Sequence, residues 1–373
     1  MSHAPDQSPQ LFTALTIGHL SLTNRIVIPP MCQYSAQDGN ANDWHSMHYG
    51  SLAVSGAGLL IIEATAVAPE GRITAWDVGL YSDDNQAALT KLRKQLAHMS
   101  TMPVAIQLAH AGRKASCQAP WHGGANIAPN QPNGWQTISA SALPHNDIDA
   151  PPRALSKEDI TQVIADFVRA AQRADAAGID GIELHMAHGY LVHQFLSPLS
   201  NQRDDEYGGS LENRMRFALQ LYQAVRQAFN PSKPVWVRIS ASDWVDGGWD
   251  LESSVTLSKA LKALGAPIIH VSSGGLSPQQ AIPLEAGYQV GFATAIKKEA
   301  DIAVIAVGLI TTPAYAEALL ASGQADAIGI GRAALYDPRW PWHAAAELGA
   351  QVDAPPQYWR SQPREFKALF RSQ

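Results

Sequence analysis

The chain has 373 residues, of which 46% are hydrophobic and 16% charged; the length suits one large barrel or two ordinary domains, and the composition argues against disorder. A formal charge of −6 and a pI of about 6.1 leave no basic field for nucleic acid or an anionic membrane surface. The two cysteines, Cys32 and Cys117, are too few for a disulfide framework, a Cys-ligated zinc or an iron–sulfur cluster, and no apolar run approaches the ~20 residues of a membrane span.

Residues 1–10 are polar and lack a charged-then-apolar leader pattern. Together with the sparse cysteines, this gives the cytoplasm as the expected location. Residues 15–22 alternate around Gly18 and predict a small hairpin. Eight short apolar runs then follow, at 25–32, 59–65, 103–110, 181–186, 234–241, 267–273, 302–308 and 327–331. Their near-continuous apolar character fits parallel strands buried on both faces. Helix signals lie between them. Ser156-Lys-Glu-Asp159 has capping-box form and precedes apolar residues at helical spacing (Ile160, Val163, Phe167, Ala170, Ala174), with Gly178 as the stop. Ser210 opens another helix, and 251–264, 291–300 and 311–322 read as later ones. Eightfold strand–helix alternation predicts one (β/α)8 barrel domain over 1–373, with its core at about 11–345 and the hairpin closing its bottom. A doubly wound sheet fits less well, since no Gly-x-Gly-x-x-Gly turn follows the first strand. The stretch 111–155, rich in Pro, Gly, Ser and Asn, is a long loop after the third strand and reads either as a lid or as a decorative insertion.

Barrel chemistry resides at the carboxyl ends of the strands. Cys32, Tyr34, Gln107, His185, His188, Tyr190, Ser272, Ser273 and Arg332 all fall there, and Arg238 lies inside the fifth strand. A guanidinium among Val, Trp and Ile needs an anion or polar partner. His185 and His188 can be read as metal ligands or as two donors to one oxyanion. With Glu183 the only nearby carboxylate, the second reading is favoured and no metal is expected. Tyr190 carries a phenolic proton fit for a general acid. Gly329-Ile-Gly-Arg332, with Gly308 ending the seventh run, offers exposed backbone N–H groups and a cation of the kind that binds phosphate, although close strand–helix packing explains the glycines equally well.

Seven motifs in order resemble the old yellow enzymes: Asn24–Cys32, Glu63-Ala-Thr65, Gln107-Leu-Ala-His-Ala-Gly-Arg113, Asp180–Tyr190, Leu196–Arg203, Tyr207–Arg214 and Gly329–Arg332. Pro30-Met-Cys-Gln-Tyr34 is similar to the thermophilic-like and xenobiotic reductase branch of that family. The resemblance implies a TIM barrel holding FMN tightly but non-covalently, with NADPH or NADH as reductant. The implied reaction is ping-pong reduction of activated C=C bonds in enones, enals and imides, through hydride transfer at flavin N5, with quinones and nitro compounds as further acceptors. It implies that Pro29, Pro30, Met31, Cys32, Ala64 and Gln107 hold the ring, that Arg238 faces its N1 and O2, and that Gly308, Gly331 and Arg332 serve the phosphate end. Cys32 would tune the flavin and Tyr34 bond the substrate. His185 and His188 would bind the carbonyl, Tyr190 would protonate the α-carbon, and Met186 and Ala187 would belong to the same substrate-side turn. Both histidine positions are His here, whereas some relatives carry Asn at the second. Trp359 is the candidate roof over a mouth, its own or a neighbouring subunit's, in a homodimer or homotetramer. Dienoyl-CoA reductases share the implied fold but add cluster cysteines and a further domain, which this chain lacks.

Overall fold

All eight apolar runs form strands, because only a strand covered by helices outside and side chains inside can be apolar on both faces. They are Ile26–Ile28 (β1), Leu59–Ala66 (β2), Val104–Ala109 (β3), Gly181–Met186 (β4), Val235–Ser240 (β5), Ile268–Ser272 (β6), Ala303–Ala306 (β7) and Ala327–Gly329 (β8). Every strand residue except Ala303 is buried. Neighbours pair in parallel, and β8 returns to β1 through Ile328 opposite Ile26, so the sheet closes into the expected barrel. The computed structural model describes residues 8–371; the leader reading of the first residues therefore lies largely outside the described part. Among the described residues, no helix is long and apolar enough to cross a membrane.

The predicted helices appear at Lys157–Ala176, Leu211–Ala228, Leu251–Ala263, Val290–Ala300 and Pro313–Ala321, joined by Asp43–Ala53 and Asp83–Met99. The capping box at Ser156 is reciprocal: its hydroxyl accepts from Asp159 N at 3.1 Å, and Asp159 accepts from Ser156 N at 2.9 Å. Leu15–Ile17 and Leu20–Leu22 form the hairpin, turning at Gly18 with φ +60°. Ile17 and Leu22 pack with Val27, Leu59, Ile268 and Ala327 at the amino ends of their strands, which stoppers the barrel floor.

The insertion after β3 is folded. It holds turns at Gly112–Lys114 and Pro120–His122 and a short parallel pair, Ile138–Ser139 with Arg153–Ala154. Arg113 pins it across the mouth by donating to the carbonyls of Leu143 (3.2 Å), Pro144 (3.1 Å) and Leu276 (2.9 Å). At the other end of the chain, Val352, Ala354 and Leu369 join the main core, so packing continues beyond 345.

Candidate active site

Alternation along β4 sends Glu183 and His185 into the barrel and Ile182, Leu184 and Met186 towards the helices. The chain then turns sharply, with His188 at φ +58° and Gly189 at φ +74°. The turn is held by Ser240, whose hydroxyl accepts from His188 N at 2.9 Å and donates to the Gly274 carbonyl at 2.8 Å. As a result His185 lies edge-on to both His188 and Tyr190, at centroid separations of 5.0 and 4.9 Å. The Nδ1 of His185 accepts from Ala187 N at 3.2 Å, so its proton sits on Nε2 and is available to an acceptor. Burial, reinforced by the Arg238 charge, holds both imidazoles well below the usual range and therefore neutral. Burial pushes the Tyr190 phenol well up, so it retains its proton. His188 Nε2 is engaged with Ser272 Oγ at 2.7 Å. With Nε2 accepting from that serine, the His188 proton would sit on Nδ1.

Beside this cluster lies a cavity of about 390 Å³. Pro29, Pro30 and Met31 from the end of β1 wall one side, and His188 and Arg238 another. Gly308, Gly331 and Arg332 close the far end. Arg238 is 8% exposed, and its Nε is buried without a partner among the described residues. A desolvated cation with an unmet donor, opposite apolar walls and with a second arginine at the far end, fits a flavin ring and its phosphate.

Cys32 and Gln107 meet this region from β1 and β3. Burial, then the charges of Asp77 and Glu63, raises the Cys32 thiol, although the Ala64 N–H and Tyr34 bond it. Gln107 Nε2 donates to Glu183 Oε1 at 2.7 Å, and Glu183 also accepts from Trp236 (2.8 Å) and bonds His270 (2.7 Å). An ionised carboxylate only accepts, so Gln107 must turn its carbonyl towards the site. The sequence presents Glu183 only as a carboxylate near two histidines; the structure makes it the anchor of Gln107. The signal that exposes Arg238, a charge inside an apolar strand, applies to it equally.

A second cavity, of about 470 Å³, opens beneath the insertion. Tyr34 and Tyr190 line it with Arg113, Lys114, Cys117 and His145, so the insertion covers this cavity. Two expectations need correction. The Met186 side chain is fully buried among core residues and does not face the substrate side, while Ala187, also fully buried, acts through its backbone. Trp359 does not roof its own mouth. It lies in the turn Pro356–Ser361 with Nε1 on the Ala354 carbonyl at 3.0 Å, and the neighbouring Tyr358 packs by the flank helix Asp43–Ala53.

Glu63, within the Glu-Ala-Thr motif, also emerges as a site support. It accepts from Gln33 N (2.8 Å) and Tyr49 OH (2.9 Å), fixing the turn that carries Cys32. Burial raises its carboxyl to about 8 despite these donors. Between its unfolded value, about 4.3, and 8, the native state holds a proton that the unfolded chain releases. This group therefore favours folding most at low pH, and its contribution is lost as the pH rises through 8. Thermal melts from pH 6 to 9 should show a smaller decline in Tm for Glu63→Gln than for the parent; parallel declines would contradict this.

The model of the NADH:flavin oxidoreductase / NADH oxidase family matches residues 10–351. An NADPH dehydrogenase of Geobacillus sp. (strain WCH70) is 44% identical over 352 residues, covering 94% of this chain and 98% of the relative. An NADPH dehydrogenase of Bacillus subtilis (strain 168) is 43% identical over 353 residues, covering 94% and 98%. Among solved structures, morphinone reductase superposes with a TM-score of 0.77 at 28% identity, covering 99% of this chain and 95% of its own.

Proposed function

Since the chain belongs to the NADH:flavin oxidoreductase / NADH oxidase family, we propose that this FMN-dependent NAD(P)H oxidoreductase reduces the activated C=C bond of α,β-unsaturated ketones, aldehydes and imides. The observation that carries the reading is the edge-on cluster of His185, His188 and Tyr190 beside a cavity walled by an unpaired Arg238. When bound, FMN would supply hydride transfer from the nicotinamide to the alkene, with reductant and substrate using the site in turn.

The chain's residues do the rest. His185 Nε2–H donates to the substrate carbonyl and draws charge from the β-carbon; His188 adds a second ring N–H donor. Tyr190 delivers its proton to the α-carbon. Arg238 would supply a cation to the ring and Gln107 an acceptor, and Pro29, Pro30, Met31, Cys32 and Ala64 would hold it. Gly308, Gly331 and Arg332 take the phosphate. Tyr34 binds substrate from the lid side, and the lid excludes water. Quinones and nitro compounds present the same polarised oxygens and belong to the acceptor class. With Trp359 off its own mouth, its role as a roof requires a neighbouring subunit in a homodimer or homotetramer. The proposed setting is the cytoplasm.

The purified protein should be yellow, bleach with NADPH in the absence of air, and regain its colour on addition of cyclohexenone or maleimide. A colourless protein, or a reduced one that no such alkene reoxidises, overturns the reading.

A further inference from the structure

Lys114 stands on the wall of the lid cavity, next to Tyr190. Its ammonium donates to the carbonyls of His188 (2.8 Å) and Gly275 (2.7 Å) and lies 5.2 Å from the centroid of the Tyr190 ring. Neither hydrogen-bond partner is a carboxylate. Two neutral carbonyls and an aromatic face hold the cation in place but leave its charge unneutralised. The backbones it bridges are already in tight contact: a Cβ on Gly275 would meet backbone atoms of His188 at 2.6 Å. A neutral donor would suffice to tie two carbonyls together. A charge at this point needs another explanation, and the adjacent phenol supplies one.

We propose that Lys114 is a positioning residue for proton delivery. It braces the His188–Tyr190 turn, and its charge offsets the tyrosinate that remains when the Tyr190 proton leaves. This rests on the reaction proposed above. In that step the Tyr190 O–H bond breaks, a C–H bond forms at the α-carbon, and water later restores the proton. The need for a cation is plain from the surroundings. Burial first, then Cys32, Tyr34, Asp77 and Cys117, all oppose ionisation of Tyr190. The proposal also predicts a pH limit. Lys114 is lowered to about 8, by burial first, with Cys117 opposing and Arg113 assisting. The other titratable or charged groups around it are Arg113 and Cys117 on its own loop, Tyr34 after β1, His185 in β4, His188 and Tyr190 after it, and His145 and Asp149 on the lid; the Gly274–Leu276 loop brings none. Burial moves Cys117 up to about 11 and His145 down to about 4, and keeps the His185 and His188 imidazoles below the usual range. Proton delivery should therefore fall off as the pH rises through about 8.

Two readouts on the holoenzyme test this. With 3-fluorotyrosine placed at position 190, a ¹⁹F titration should show its ionisation about one unit or more lower in Lys114→Arg, whose charge persists at every pH of the titration, than in the uncharged Lys114→Met. In single turnover, Lys114→Met should slow reoxidation by the alkene roughly tenfold to a hundredfold and erase the basic limb, whereas Lys114→Arg should restore most of the rate and move the limb upward. In a Tyr190→Phe background, Lys114→Met should add little. The same fluorotyrosine titration in Lys114→Arg and Lys114→Met, or effects of Lys114→Met and Tyr190→Phe that simply multiply, would overturn the proposal. Should no alkene reoxidise the parent enzyme, the reaction reading fails, while the ¹⁹F titration still decides whether lysine and tyrosine are coupled.

Discussion

Tyr190→Phe is expected to slow reoxidation of the reduced enzyme by cyclohexenone about 10²–10⁴-fold, the usual worth of a positioned general acid, with a far smaller change in its reduction by NADPH. The substitution removes one oxygen and leaves the ring, so the edge contact with His185 and the Lys114 face contact survive. The turn itself is held by backbone and by Ser240, not by the phenol. Stability should therefore change little, and a rate loss confined to the alkene step can be assigned to the proton. Hydride arrival from the nicotinamide needs no proton from Tyr190. Stopped-flow traces of the two half-reactions separate the cases, and equal slowing of both would show that Tyr190 shapes the site rather than donating.

The second large effect concerns the cofactor. Arg238→Met should weaken FMN binding roughly 10- to 150-fold, since a hydrogen bond to a charged group contributes about 1.5–3 kcal/mol. The same change should leave the FMN-free protein as stable as the parent or more so. Arg238 is buried with an orphaned Nε, and burial lowers its pKa even though the Glu183 charge supports it. A methionine of similar length removes that desolvated cation from the apoprotein. The two outcomes have opposite signs, which no general loss of folding reproduces. Thermal melts of FMN-free protein and a flavin-fluorescence titration measure them; an FMN dissociation constant within twofold of the parent would rule out the assignment. The flavin potential should also fall in the variant, because a cation at the ring edge favours the reduced, more negative form.

Much of the candidate site was legible because a barrel collects its functional side chains at one recurring place, the carboxyl end of each strand. Locating eight apolar runs located that rim, and polar residues there stood out: Cys32, Gln107, His185, Arg332. Some errors were avoidable. Period-two alternation already assigns Met186 to the helix side once His185 faces inward, and Glu183 inside β4 is as anomalous as Arg238 inside β5. Others were not. The Ser272 hydroxyl that occupies His188 is 84 residues away in sequence, and the Gln107–Glu183 bond spans 76.

Strand number, barrel closure, the floor hairpin and the residues of the rim follow from the amino-acid order, because local periodicity, caps and turn glycines act over a few residues. The partners of those rim residues do not. That His185 offers Nε2 while His188 bonds Ser272, that Lys114 lies against Tyr190, and that Trp359 bonds the Ala354 carbonyl are results of tertiary packing. Hydrogen bonds and desolvation depend on which distant segments meet, and only the closed barrel with its lid in place brings them together.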